Sequence, residues 1–224
     1  MNYSLGNMLG GAGALNADKL SLDLQFAADK TLTARKGPPS TFTRASGATE
    51  IGPDGLIRYA PENLILQSEN FGTTWTNDVG LVAVSTDVIT SPSGLVNADK
   101  ITENTSTIAR RICIGGITVT ETVYTFSCYL KAGERDFAQL AFGGIFGNQY
   151  QNFIIGGVNA GTLGSGSGIT SPQITALPDG WYRCTATVTS GGSGPTQVTV
   201  GPLDSNRASK WPAYLGTIGS GIFL

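Results

Sequence analysis

The sequence predicts an all-β fold of sandwich or barrel type, and three features predict it. Short apolar or alternating segments recur near residues 63–66, 81–85, 108–114, 123–130, 137–142, 152–158, 181–188, 196–200 and 221–224, many of them separated by clusters of Gly, Pro, Asn, Asp and Ser. Charged residues are 13% of the chain against an ordinary ~25%, while hydrophobic residues reach 40%, so Ser, Thr, Asn and Gly must cover much of the surface. Glycine accounts for 31 of 224 residues, about twice its usual ~7% share, which implies many turns. No segment carries a 3.6-residue apolar period long enough for more than about three helical turns.

The N-terminal sixty residues differ in texture from the rest. Residues 1–20 hold a glycine cluster and no sustained period, so they order only if something covers them. Residues 21–26 alternate as a half-buried strand does. Gly37-Pro38-Pro39 then forces extended backbone, because each proline fixes its own φ and restricts the residue before it. A Gly52-Pro53-Asp54-Gly55 turn leads into Leu56-Ile57-Arg58-Tyr59. These pieces have too little apolar area to offset a backbone ordering cost of about 1–2 kcal/mol per residue by packing on each other alone. Residues 1–60 are therefore expected to form an extended arm that lies against a partner, and residues 63–224 a β-sandwich.

Within the sandwich the faces can be assigned by alternation. Over 123–130, Tyr124, Phe126, Cys128 and Leu130 form the more apolar side and Val123, Thr125, Ser127 and Tyr129 the other. Over 181–188, Tyr182, Cys184, Ala186 and Val188 lie opposite Trp181, Arg183, Thr185 and Thr187. Cys128 and Cys184 should then be small buried hydrophobes.

Composition excludes several chemistries. With no histidine, Ser-His-Asp and Cys-His catalysis, an HExxH zinc site and a histidine pH switch are all impossible. A net charge of −2, with 14 Lys+Arg spread along the chain, argues against nucleic-acid binding. Cys113, Cys128 and Cys184 are odd in number, widely spaced and without a CxxC pair, which suits reduced thiols in a reducing compartment. Residues 8–15 are mildly apolar but glycine-rich and lack basic residues before them, a poor signal peptide. No run approaches the ~20 apolar residues of a membrane-spanning helix, so no membrane insertion is expected.

Four blocks carry a resemblance: Asn63-Leu64-Ile65-Leu66-Gln67-Ser68-Glu69-Asn70-Phe71 followed by Trp75; Ala98-Asp99-Lys100-Ile101-Thr102-Glu103; Tyr124-Thr125-Phe126-Ser127-Cys128-Tyr129-Leu130-Lys131-Ala132-Gly133-Glu134-Arg135; and Asp179-Gly180-Trp181-Tyr182-Arg183-Cys184. In order and spacing they resemble the jelly-roll domain of tailed-phage structural and tail-fibre proteins, which is similar to carbohydrate-binding modules of the concanavalin-like sandwich type. The upstream stretches Leu22-Asp23-Leu24-Gln25-Phe26, Asp29-Lys30-Thr31-Leu32-Thr33, Gly37-Pro38, Phe42-Thr43-Arg44-Ala45-Ser46 and Gly55-Leu56-Ile57 resemble the leader that precedes such domains. The resemblance implies a non-enzymatic virion component (capsid decoration, fibre or tail adaptor) assembled in the host bacterial cytoplasm. It also implies attachment to other virion proteins through the arm, and self-association, as a trimer by likeness to phage fibres. Relatives continue past a strand like Gly221-Ile222-Phe223-Leu224, whereas this sequence stops at Leu224, so the expectation is either a longer protein or a closing strand from elsewhere, since a sandwich ended there would expose an unpaired strand edge or lack part of its core.

The alternative function is a glycan-binding adhesin that recognises host surface polysaccharide. Sugar C–H groups stack on flat aromatic faces, and amides bond hydroxyls. Trp75, Tyr150 and Trp211 lie in turn-like contexts, and Asn148, Gln149, Gln151 and Asn152 bracket Tyr150, so Trp75, Tyr150, Trp211, Asn148 and Gln151 form the expected glycan set. Against this, Trp75 and Trp181 read first as core or rim residues. Sandwiches of this kind often hold a structural calcium with acids near the first strand, for which Glu69, Asp87 and Asp99 are available, but no DxDxDG loop exists and no cofactor is otherwise expected. The acid clusters Glu62/Glu69 and Glu134/Asp136 are the nearest approach to a glycosidase pair, and solvated charge at strand ends is their default reading, so no catalytic residue is assigned. Gly143-Gly144 and the 164–168 stretch lack the Lys-Ser/Thr of a phosphate loop and read as hairpin or loop glycines.

Overall fold

The structure, a computed structural model, describes residues 23–24, 34–36, 49–51, 54–59, 63–65, 68–72, 75–78, 81–120 and 122–224. The chain divides into two compact units, Met1–Glu62 and Asn63–Leu224. In the first, β1 (Asp23–Leu24) pairs with β2 (Ala34–Lys36), and β3 (Thr49–Ile51) pairs with β4 (Ile57–Tyr59), both antiparallel. The turn before β4 holds Gly55 at φ +79° and is pinned by the Leu56 N–H donating to Asp54 Oδ1 at 3.2 Å. Most of the expected arm, with residues 8–15, 37–39 and 42–44, lies outside the described residues.

The second unit is all-β. Its strands are β5 (Thr76–Asp78), β6 (Leu81–Thr90), β7 (Val96–Glu103), β8 (Thr107–Ile108), β9 (Arg111–Val119), β10 (Val123–Ala132), β11 (Phe137–Phe142), β12 (Tyr150–Ile154), β13 (Thr162–Ser167), β14 (Gln173–Ala176), β15 (Trp181–Thr189), β16 (Gly194–Leu203), β17 (Tyr214–Leu215) and β18 (Gly221–Phe223). Among the described residues the only helical pieces are single 3-10 turns at Gly144–Phe146 and Pro178–Gly180. One six-stranded sheet runs β14-β15-β10-β18-β7-β6 and the other β13-β12-β11-β16-β9-β5, with β17 and β8 paired separately. The antiparallel pairs are nested: β7 with β18 in the first sheet, β9 with β16 in the second, β10 with β15 in the first again. Such a wrapped set of nested pairs is a jelly roll, and it packs two antiparallel sheets face to face.

The core lies between the sheets. Phe126, Cys128 and Leu130 of β10 and Cys184, Ala186 and Val188 of β15 point inward as their alternation requires, with Cys128 directly opposite Cys184. Ile101, Ile112, Leu140, Phe153, Val200 and Ile222 join them with no exposed surface. Phe71, Trp75, Phe126, Phe142 and Phe146 form a chain of ring contacts with centroids 5.0–6.5 Å apart.

Three readings of the sequence differ from the structure. The 152–158 run does not continue as a strand: β12 ends at Ile154, and Val158 lies fully exposed in the turn that follows. The 164–168 glycines are not all loop: Gly164 and Gly166 belong to β13, where a Cβ would overlap the side chains of Asn206 and Gln151 respectively. The last strand is no edge. Gly221–Phe223 lies between β7 and β10, the Asp99 N–H donates to the Leu224 carbonyl at 3.0 Å, and the Leu224 N–H returns a bond at 2.8 Å.

Candidate functional site

Alternation sends one side chain of each pair out of the sheet, and on the second sheet the outward side is polar. Gln139 of β11, Asn152 of β12 and Thr199 of β16 face out beside Arg111 and Cys113 of β9, in the registers Gln139↔Asn152 and Cys113↔Thr199. Burying amides costs free energy unless they are bonded, and here a loop, residues 204–213, is laid over them. Gln139 Nε2 donates to Asn152 Oδ1 at 2.8 Å and to the Ser209 carbonyl at 3.0 Å, while its Oε1 accepts from the Trp211 N–H at 2.8 Å. Asn152 Nδ2 donates to the Arg207 carbonyl at 2.7 Å, and Asn206 Oδ1 accepts from the Ser165 N–H at 2.7 Å. The two amides thus strap the loop to the sheet, and they are buried as a result.

Trp211 is the centre of this arrangement. Its backbone sits at φ +52°, a left-handed conformation that a bulky residue adopts only when its surroundings hold it there. The hold comes from the Gln139 bond and from the indole N–H donating to Thr199 Oγ1 at 3.0 Å. Two cations lie on the ring: the Arg111 guanidinium carbon 4.1 Å from its centre and Lys210 Nζ 3.8 Å from it. Lys210 also donates to the Gly147 carbonyl, next to the exposed Asn148. Burial, reinforced by the charge of Arg111, pushes the Lys210 amine down to about 8. Tyr150 occupies the same outward row, opposite Ala141, which is in turn opposite Thr199.

The structure sets Trp211 over the outward face on which Tyr150 lies, leaves Asn148 exposed next to Gly147, and sends the other expected glycan residues elsewhere. Trp75 is a core residue, 7% exposed, with Phe71 at 5.0 Å and Phe126 at 6.5 Å, so its ring offers no open face to a sugar. Gln151 is buried and spends its amide on the carbonyls of Asn152 and Gly164, both at 2.9 Å. Tyr150 is itself 6% exposed, so little of its ring is available. Sequence reasoning missed Lys210 and Arg111, and the adjacency of Lys210 to Trp211 in a polar loop was the signal for the first.

Four of the acids, Glu103, Glu134, Asp204 and Asp99, are committed to structure. Glu103 is wholly buried and accepts from Arg135 Nε at 2.8 Å, Arg135 Nη2 at 2.6 Å, Tyr214 Oη at 2.6 Å and the Thr217 N–H at 3.0 Å. Burial alone would raise its pKa, but those bonds and the Arg135 charge outweigh burial and hold the carboxyl below its ordinary value. Glu134 pairs with Lys100 at 2.9 Å, and Asp204 pairs with Arg207 at 2.5 Å. Glu62 lies outside the described residues, while Glu69, Asp87 and Asp136 are exposed. Asp99 is buried, and its two oxygens accept the N–H groups of Phe71 and Asp87 at 3.2 and 3.0 Å; burial raises its pKa despite these bonds. Among the described residues no three His, Cys, Asp or Glu side chains gather as a metal site would require.

In comparisons with known proteins, no family model matches the chain and no curated protein matches it.

Proposed function

We propose that the chain is a non-catalytic structural protein of a tailed-phage particle, in which the N-terminal unit attaches to another virion protein or a neighbouring copy and the sandwich is displayed. The observation that carries this reading is the β3–β4 hairpin. Ile51 and Ile57 are directly opposite each other, and Ile51, Leu56 and Ile57 are 74%, 66% and 75% exposed. A two-stranded hairpin is marginal in water on its own, and apolar residues left this open at its tip have the character of a docking surface. Burying each such side chain against a partner would contribute about 1.5–3 kcal/mol. The commitment of Glu103, Glu134, Asp204 and Asp99 to ion pairs and backbone bonds supports a role without catalysis.

Incorporation into particles tests the reading. The full chain should incorporate, whereas an Ile51→Asp/Ile57→Asp variant and a chain lacking residues 1–60 should remain soluble and stay off particles. Normal incorporation of the truncated chain would refute attachment through this unit. Sedimentation distinguishes the partner: a trimer of the free chain indicates neighbouring copies, and a monomer indicates a different virion protein.

The second reading, contact with host glycan, is favoured by Trp211 and Tyr150 lying on one face of the second sheet. Loss of glycan-array signal in Trp211→Ala and Tyr150→Ala would support it, and an array blank for the intact chain would end it.

A further inference from the structure

Cys128 of β10 and Cys184 of β15 are direct partners in an antiparallel register that runs in step, without a bulge, from Val123↔Thr189 to Lys131↔Trp181. Directly opposite residues in such a pair have Cα atoms about 4.5 or 5.5 Å apart, depending on whether they exchange backbone hydrogen bonds, and a disulfide accepts about 4.4–6.8 Å. Both side chains are buried and point into the same core. In the structure both are free thiols, and Cys128 Sγ donates to the adjacent Tyr129 carbonyl at 3.6 Å, a weak bond that a disulfide would replace. The third thiol is set apart from them. Cys113 stands on β9 of the other sheet, opposite Thr199 and Thr76, and its Sγ lies 3.5 Å from both Thr76 Oγ1 and Gln197 Oε1 on the outward side.

We propose that Cys128 and Cys184 form a latent disulfide site, which a small-molecule disulfide such as oxidised glutathione closes across β10 and β15 to lock the sandwich. One protein thiolate attacks a sulfur of oxidised glutathione, forming a mixed disulfide and releasing one glutathione thiolate. The second protein thiolate then attacks the protein sulfur of that mixed disulfide and releases the other glutathione. Two protein thiols are thereby oxidised, one glutathione disulfide is reduced, and the two protons pass to the released thiolates. Burial pushes the Cys128 thiol up to about 12 and raises Cys184 as well, so the folded sheet holds few thiolates and closure follows refolding or a local opening. The bond would tie together the two ends of the segment that carries β11, β12, β13 and β14, and so would restrict the unfolded chain over much of the sandwich. In a reducing compartment the same pair stays open as two packed thiols.

The test refolds the full chain from urea in a mixture of oxidised and reduced glutathione, blocks the remaining thiols, and maps the peptides by mass without reduction. The expected product is a monomer with a Cys128–Cys184 bond and a blocked Cys113. Pairing identifies the cause, because loop closure in an unfolded chain favours the shorter Cys113–Cys128 loop, whereas the folded register brings Cys128 to Cys184. The oxidised chain should melt about 5–10 °C above the reduced chain, and dithiothreitol should reverse the gain. A Cys184→Ala chain should show no gain on oxidation, a comparison made within that variant and so independent of its own stability. If the variant does not fold, the peptide map and melting shift of the parent still decide. A parent that keeps both thiols, that pairs Cys113 instead, or that forms the Cys128–Cys184 bond and melts no higher than its reduced form would each overturn the proposal.

Discussion

Glu103 shows how much a single buried charge can organise. Its carboxylate joins β7 to Arg135 after β10, to Tyr214 of β17 and to the Thr217 N–H, and Arg110 and Arg135 stack 4.5 and 5.6 Å from the Tyr214 ring. Removing one partner leaves the other charge buried and unpaired, so Glu103→Gln should destabilise the sandwich by about 3–5 kcal/mol in urea denaturation. The sign with pH follows from the depressed carboxyl. Its contribution is fully present above the ordinary glutamate value of 4.5 and is lost as pH falls below it through the folded pKa. The parent should therefore lose stability in that acid window more steeply than Glu103→Gln. The thiols belong to the same scale. Burial pushes Cys128 up to about 12 and raises Cys184 as well, with the neighbouring Cys128 adding to it. A thiolate-seeking reagent should therefore leave both unlabelled in native protein and label them once the chain is denatured.

Among the elements, β18 has the largest consequence for its length. Three residues, Gly221–Phe223, complete the first sheet between β7 and β10, and Ile222 is fully buried. Gly221 stands where a Cβ would overlap the Ile101 carbonyl of β7, so the close approach of the two backbones requires glycine there. Ile222→Ala should cost about 2–5 kcal/mol. Gly221→Ala should also destabilise, because the overlap is with backbone rather than a flexible side chain. Deleting residues 221–224 should open the sheet at its centre, seen as dye binding to exposed core and loss of a cooperative thermal transition.

At the scale of the molecule, the division at Glu62 and Asn63 separates a unit with two small strand pairs from one with a continuous core. A fragment of residues 63–224 should consequently melt within a few degrees of the full chain, with a β-type far-ultraviolet spectrum. A large loss of melting temperature in the fragment would show that the first unit contributes to the sandwich's stability. This comparison also separates folding from attachment, since the proposed role asks the first unit to bind a partner and not to hold the sandwich together.

The sequence by itself determined the strand-rich architecture and the inward faces of β10 and β15, because period-2 alternation is local and glycine and proline mark where it stops. It also excluded histidine-based chemistry outright. It left β7 unread as a strand, since Asp99 and Glu103 break its apolar alternation, and both are buried because partners distant in sequence satisfy them. It left β13 unread because glycine carries no side-chain signal, and the reason for Gly164 and Gly166 lies in Asn206 and Gln151 across the fold. The candidate site divides in the same way. Aromatic and amide residues could be named from composition and context, but only tertiary structure decided that Trp75 fills the core, that Gln151 is spent on backbone carbonyls, and that Lys210 and Arg111 meet on Trp211. A residue's type limits what it can bond, while its available faces depend on neighbours that a long-range topology brings to it.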